Sequence, residues 1–176
     1  MIWRETELAG AFVVESEPIE DERGWFARIY DEGELEQNGL ATRFAQGSLA
    51  YNKERGTLRG MHYQADPHAE AKLVRCISGA VHDVIVDLRP ASPTFKRWVA
   101  VELIAASGRM LYVPEGLAHG YLTLENESET LYLISAPYAP EAARGVRWDD
   151  PALGIAWPDE PRVLSEKDKA WPDFSG

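Results

Sequence analysis

The sequence is short of four things: cysteine, long apolar runs, helical periodicity and positive charge. Its single cysteine, Cys76, excludes an internal disulfide, so the 176 residues depend on a packed core, for which the chain is long enough. Cys76 lies in the apolar run Leu73-Val74-Arg75-Cys76-Ile77 with no base-bearing motif beside it, which reads as a buried small hydrophobe and not as a nucleophile. No apolar stretch approaches the ~18 residues of a membrane span, and the opening MIWRETELAG lacks the basic and apolar regions of a signal peptide. No membrane partner is expected, and cytoplasm is the default location. Lys and Arg number 18 against 29 Asp and Glu, a net charge of -11 that repels polyphosphate at long range and argues against a nucleic-acid partner. A small anionic ligand is compatible with that balance, because a few arginines can dominate one pocket while the outer surface stays acidic.

With 45% apolar residues and six tryptophans, the composition is that of a folded globular chain, since disordered segments are poor in aromatics. Helical signals are confined to Asp31 to Asn38, closed by Gly39, and one turn over Pro140 to Arg144. No strand-helix-strand repeat of ~30 residues occurs, which excludes the doubly wound nucleotide-binding folds. Short apolar alternations recur instead: Phe12-Val13-Val14, Leu73 to Ile77, Val81 to Leu88, Trp98 to Leu103, Met110 to Val113 and Tyr121 to Leu124. Turn signals such as Arg55-Gly56, Ser78-Gly79, Arg89-Pro90 and Ser107-Gly108 separate them. This spacing predicts an all-β antiparallel sandwich or barrel with strands through residues 8 to 135. One domain over residues 1–176 is expected, its tail from about Asp149 extended and wrapping the barrel.

The densest polar cluster is Arg55-Gly56-Thr57-Leu58-Arg59-Gly60-Met61-His62-Tyr63-Gln64, followed by Lys72. On a strand over 58–64, His62 and Gln64 share a face with Leu58 and Gly60, and a glycine there leaves room for a ligand. His62 is then either a hydrogen-bonded core histidine or an acid-base group. A metal site is disfavoured, because Gln64 stands where a second ligand is needed and His68, His82 and His119 are scattered. A second segment, Val113 to Tyr121, carries His119 inward after a Pro-Gly turn. Tyr132 and Tyr138 taken alone read as barrel aromatics, and Asp168 taken alone is a solvated charge.

Together these segments closely resemble the dTDP-4-dehydrorhamnose 3,5-epimerase family, in order and across almost the whole chain. The matching stretches are DERGWF (21–26), GTLRGMHYQ (56–64), KLVRC (72–76), VHDVIVDLR (81–89), SPTF (92–95), PEGLAHGY (114–121), RGVRWDDP (144–151) and SEKD (165–168). The resemblance implies a cupin-like jelly-roll barrel, a homodimer, and epimerisation of a nucleotide-diphosphate sugar without metal or other cofactor. By position it implies His62 as the base, held by Asp168, and Tyr132 as the acid. It further implies Lys72 and His119 near the ketone, Lys167 near the substrate, Arg23 and Arg59 on the diphosphate, and Tyr138 stacked on the nucleotide base.

Departures fall at nucleotide-contacting positions: Arg28 replaces a glutamate, Gln46-Gly47-Ser48 replaces or shifts a Gln-x-Asn segment, and Ala143 replaces an acidic residue. Arg28 is kept as a substrate-binding candidate, and altered recognition of the nucleotide base is expected. The competing readings are a 3,4-ketoisomerase acting on the same sugars, and a non-catalytic sugar-nucleotide-binding cupin. The ordered PEGxAHG and S-x-K-D segments favour the epimerase.

Overall fold

The computed structural model describes residues 1–175. Its strands are β1 (Ile2–Glu5), β2 (Phe12–Glu15), β3 (Ile19–Asp21), β4 (Gly24–Phe26), β5 (Gln46–Asn52), β6 (Leu58–Gln64), β7 (Lys72–Ser78), β8 (Ala80–Asp87), β9 (Trp98–Ile104), β10 (Arg109–Val113), β11 (Leu117–Thr123), β12 (Ser128–Ile134) and β13 (Ala143–Gly145). Two short helices, α1 (Glu32–Gln37) and α2 (Glu166–Lys169), accompany them. A six-stranded sheet in the order β1-β2-β10-β7-β12-β5 faces a five-stranded sheet in the order β13-β6-β11-β8-β9, and β3 and β4 form a separate ribbon. This is the expected all-β, cupin-like jelly roll.

Period-2 alternation explains how the layers meet. In β8, Val81 and Ile85 point between the sheets, where they join Val74, Cys76, Leu111, Leu117 and Tyr121. Val84 and Val86 point outward and are covered by Leu153, Ile155, Trp157 and Phe174 of the tail. A strand buried on both faces reads as a continuous apolar run, which is why β8 is so legible in the sequence. On the outer face of the six-stranded sheet Leu35 of α1 with Ile29, Leu40 and Phe44 packs on Val14, Met110 and Tyr112, and the same cluster takes in Leu73 of β7 and Leu133 of β12. Helix α1 begins where expected: Asp31 caps it by accepting from the backbone N–H of Glu34. Gly39, with φ of +69°, follows its end in the left-handed conformation that favours glycine.

Three expectations need correction. Strands extend beyond 8–135 at both ends, because β1 pairs with β2 and β13 pairs with β6. The turn after Pro140 is short, and the chain is back in a strand at Ala143. The third concerns β6: its register against β11 slips, with His62 opposite His119 but Arg59 opposite Tyr121. Two residues of β6, Gly60 and Met61, therefore stand against the single Gly120, which is a β-bulge. A strict period of two would put Leu58 and His62 on one face; the bulge instead puts Arg59 and His62 together and turns Leu58 and Met61 away. Nor does Gly60 make room for a ligand. A Cβ there would lie 2.6 Å from Gly120 Cα, so the space it leaves is taken by the facing strand.

Candidate active site

Between the two sheets lies a cavity of about 400 Å³. Strand β6 contributes Arg59 and His62, β7 Lys72, β11 His119, β12 Tyr132, the following loop Tyr138, and α2 Lys167 and Asp168. Residues separated by up to 109 positions thus converge because inward alternation on facing strands points at one space.

His62 Nε2 lies 2.6 Å from Asp168 Oδ1. Asp168 is buried and sits in the first turn of α2, where Ser165 Oγ accepts its backbone N–H at 3.0 Å. Burial pushes the Asp168 carboxyl pKa up, but the hydrogen bond and charge of His62, with Ser165 and Trp171 contributing, outweigh burial and hold it below the ordinary value. An ionised carboxylate can only accept, so Nε2 carries the proton and the lone pair of neutral His62 is on Nδ1. Trp171 supports both members: its indole donates to Asp168 Oδ1 at 3.3 Å, and its ring meets the imidazole edge-on at 6.0 Å. The His62 side chain is still 39% exposed, so the imidazole is not sealed in the core.

A second imidazole-carboxylate pair lies deeper. His119 Nε2 is 2.8 Å from Asp83 Oδ1, and both groups are buried. Asp83 Oδ2 has no hydrogen-bond partner among the described residues. The pairing fixes the orientation of the His119 ring, whose edge meets the ring of Tyr132 at 6.0 Å. Lys72 Nζ sits 3.0 Å from Glu70 and 3.4 Å from the His62 carbonyl, which holds an ammonium against the same wall. Burial lifts the Tyr132 phenol well above its ordinary pKa, so it is a proton donor at neutral pH.

At the mouth, Arg59 Nε donates to Asn52 Oδ1 at 2.8 Å. The Tyr138 ring is 57% exposed while its backbone is fixed. Tyr138 N–H donates to Gln46 at 2.7 Å, and the adjacent Ala139 N–H donates to Gln64 Oε1 at 2.7 Å. The Gln64 amide nitrogen in turn donates to the carbonyls of His68 and Pro137. Gln64 is thus consumed in holding the Tyr138 loop. Lys167 Nζ lies 5.3 Å above the Trp171 ring, at the cavity edge. Among the described residues no group of three or more His, Cys, Asp or Glu side chains is placed to hold a metal ion.

Two of the residues singled out in the sequence are not brought to the cavity. Arg23 projects from the β3-β4 ribbon and pairs with Asp21, and Arg28 pairs at 2.7 Å with the capping Asp31. Of the three departures, Ala143 lines the cavity, as do Gln46 and Ser48 of the second, and Arg28 does not; Gly47 sits on the face of β5 that packs toward Leu133. The sequence reading missed Asp83, Glu70, Ser165 and Trp171. Asp83 alone carried a signal, as an acid inside an otherwise apolar strand, where an unpaired charge is too costly to bury.

The model of the dTDP-4-dehydrorhamnose 3,5-epimerase family matches residues 5–176. The dTDP-4-dehydrorhamnose 3,5-epimerase of Sinorhizobium fredii is 40% identical over 175 residues, covering 99% of this chain and 90% of that protein. Among solved structures, a dTDP-4-dehydrorhamnose 3,5-epimerase from Bacillus anthracis with TDP and PPi bound superposes with a TM-score of 0.94 at 39% identity, covering 98% of this chain and 99% of that one. A 3'-monoepimerase from Streptomyces bikiniensis in complex with dTDP-quinovose gives a TM-score of 0.89 at 36% identity, covering 96% and 85%. With that coverage, and with the site residues of β6, β7, β11, β12 and α2 converging as described, the chain belongs to the dTDP-4-dehydrorhamnose 3,5-epimerase family and is an isomerase of the racemase and epimerase class.

Proposed function

We propose that this enzyme inverts C3, C5 or both of a nucleotide-linked 4-keto-6-deoxyhexose, with His62 removing a proton beside the ketone and Tyr132 returning one from the other face. The observation that carries this reading is the presence, in one cavity, of an imidazole fixed by a carboxylate at 2.6 Å and a phenol kept protonated by burial. A proton next to a ketone is only weakly acidic, so its removal requires a placed base and donors on the developing enolate oxygen. Lys72 supplies such a donor, and His119 lines the same cavity. Only protons move, so neither a metal nor a redox cofactor is required by the chemistry. Arg59 at the mouth suits the diphosphate, since a guanidinium fork matches phosphate oxygens, and the exposed Tyr138 ring suits a nucleotide base. Lys167 is assigned to the substrate at the same rim.

The working unit we propose is a homodimer. Support comes from the outer face of the six-stranded sheet, where Leu49, Tyr51 and Ile77 are exposed beside Arg75, whose buried Nη1 has no partner among the described residues. The ribbon adds exposed Ile19, Trp25 and Phe26. Exposed apolar residues of this extent mark an interface, and a ribbon reaching across it would carry Arg23 and Arg28 to a partner's cavity. A buried free thiol, which burial pushes up to about 11, suits a reducing compartment, and we place the protein in the cytoplasm.

The test is incubation with dTDP-4-keto-6-deoxyglucose in heavy water, following the C3 and C5 proton signals by NMR. Loss at either position with inversion is expected; absence of exchange with every nucleotide tried would overturn the reading. Parallel GDP-, CDP- and UDP-linked sugars read the nucleotide preference, and a clear preference for dTDP would show that Arg28, Gly47 and Ala143 have not altered base recognition.

A further inference from the structure

The base has its own carboxylate to set its proton; the acid has a longer support of neutral side chains that ends on a guanidinium. Thr130 Oγ1 lies 3.2 Å from Tyr132 Oη and 3.3 Å from Tyr121 Oη, and Tyr121 Oη lies 3.2 Å from Asn52 Nδ2. Asn52, Tyr121 and Thr130 are each 98% or more buried, so water does not compete for these groups. The chain ends on Arg59, whose Nε donates to Asn52 Oδ1 at 2.8 Å.

A guanidinium can only donate, so Arg59 fixes which end of the Asn52 amide is oxygen. The amide nitrogen then faces Tyr121 Oη, and also the Ser128 carbonyl at 3.0 Å. Tyr121 receives this hydrogen bond and donates its own proton to Asn52 Oδ1 at 3.3 Å, whose second lone pair is free beside the one that accepts Arg59. Thr130 Oγ1 has two phenol oxygens in reach as acceptors, Tyr121 Oη at 3.3 Å and Tyr132 Oη at 3.2 Å. With Tyr121 already served by the Asn52 amide, Thr130 turns its single hydroxyl proton to Tyr132 Oη.

We propose that Thr130, backed by Tyr121 and Asn52, is a positioning residue that sets the proton direction of Tyr132, so that the phenol's own hydroxyl proton is free for the substrate carbon. The inference rests on the reading of Tyr132 as the acid. In the step it serves, the Tyr132 O–H bond breaks and a C–H bond forms from the electron pair of the enolate C=C. The enolate oxygen regains its C=O, and the negative charge passes to the phenolate, which meets the Thr130 hydroxyl as a donor. Burial raises the Tyr132 phenol, and the Thr130 hydrogen bond acts against that rise, as a donor to the phenolate should. The same Arg59 that faces the diphosphate thereby anchors the orientation of the acid.

The variants that separate this from a packing role are Thr130→Val and Tyr121→Phe, which remove hydroxyls while keeping shape. Each is assayed in heavy water for deuterium exchange and for inversion, alongside Tyr132→Phe. A hydrogen bond to a charged oxygen is worth about tenfold or more in rate, so Thr130→Val should lower inversion by about that factor. Exchange through His62 should fall much less, so the ratio of exchange to inversion rises; KM should stay within about twofold, and Thr130→Ser should restore inversion. Equal falls in exchange and inversion, or unchanged inversion, in Thr130→Val would overturn the proposal. Tyr121→Phe leaves Thr130 only Tyr132 to donate to, so its inversion should stay near the parent's; should Thr130→Val not fold, Thr130→Ala removes the same hydroxyl, with the same outcomes expected. Tyr132→Phe inverting at the parent rate would instead sink the assignment of the acid, a result distinct from failure of the Thr130 variants alone.

Discussion

At the scale of single residues, Asp168 has the most leverage for its size. It selects the His62 tautomer, and in our reading of the site it stabilises the imidazolium that forms on proton removal. Asp168→Asn keeps the shape and leaves a group that donates as well as accepts, so exchange should drop by about 10²-fold or more, the range spanned by acid-base catalysis. His62→Ala should abolish exchange while a bound nucleotide sugar still registers by calorimetry; exchange at the parent rate in either variant would remove the residue from its role. Sequence reasoning from residue type alone left Asp168 as a solvated charge, because nothing in Ser-Glu-Lys-Asp says that its fourth residue is 96% buried. Only the ordered resemblance placed it. Trp171 was beyond reach for the same reason: its contact with His62 spans 109 positions and carries no local signal.

At the scale of elements, what the sequence displayed was periodicity and what it hid was departure from periodicity. Strands β7, β8, β10 and β11 were legible because most of their residues are buried on both faces, and the edge strand β9 through its apolar run alone. Strand β5, Gln-Gly-Ser-Leu-Ala-Tyr-Asn, is an edge with polar inward positions and shows no apolar stripe, although it pairs with β12 along its full length. The β6 bulge was invisible, since a period-2 reading assumes the register it breaks. That bulge brings Arg59 and His62 to one face, and Gly120 makes it possible. A Cβ on Gly120 would lie 2.8 Å from the Arg59 carbonyl oxygen and 2.9 Å from Gly60 Cα, backbone atoms with no room to yield. Gly120→Ala should therefore destabilise by about 1–3 kcal/mol, as overpacking does, and should lower kcat as well. Parent-like urea midpoints would contradict the account.

The end of β8 gives a second test at this scale. Asp87 is fully buried and accepts from Arg89, Ser92 and Thr94. Burial raises its carboxyl pKa, but these donors outweigh it and bring it down to about 2 from 3.8. A depressed folded-state pKa stabilises above the unfolded value and ceases to do so as pH falls through the folded one. Asp87→Asn should cost about 2 kcal/mol near neutral pH, and the difference from the parent should shrink between about pH 4 and pH 2. A difference in urea midpoint that stays constant over that range would show that the charge contributes nothing.

At the scale of the whole molecule, the charge balance and the unpaired face matter most. A chain of net charge -11 binds an anionic substrate in our reading by concentrating cations at one mouth, yet a single chain brings only Arg59, Lys72, Arg144 and Lys167 of its 18 basic residues to the cavity. Arg23 and Arg28 stay on the outside, next to the exposed ribbon. The sequence could mark these arginines but not what the proposed dimer would place around them, because an interface between copies carries no periodicity of its own. Leu49 tests the arrangement cleanly: it is 67% exposed in the single chain, so Leu49→Glu removes nothing from the core. In the proposed homodimer it places a charge on the apolar face that both copies would bury. The parent should sediment at about twice the 19.7 kDa chain mass and the variant near that mass, with unchanged circular dichroism. If the dimer also completes the site, the monomeric variant should lose affinity for the nucleotide sugar, as Arg23→Ala should in the intact dimer. A parent that sediments as a monomer with full activity would rule out the shared site and return Arg23 and Arg28 to the status of surface charges.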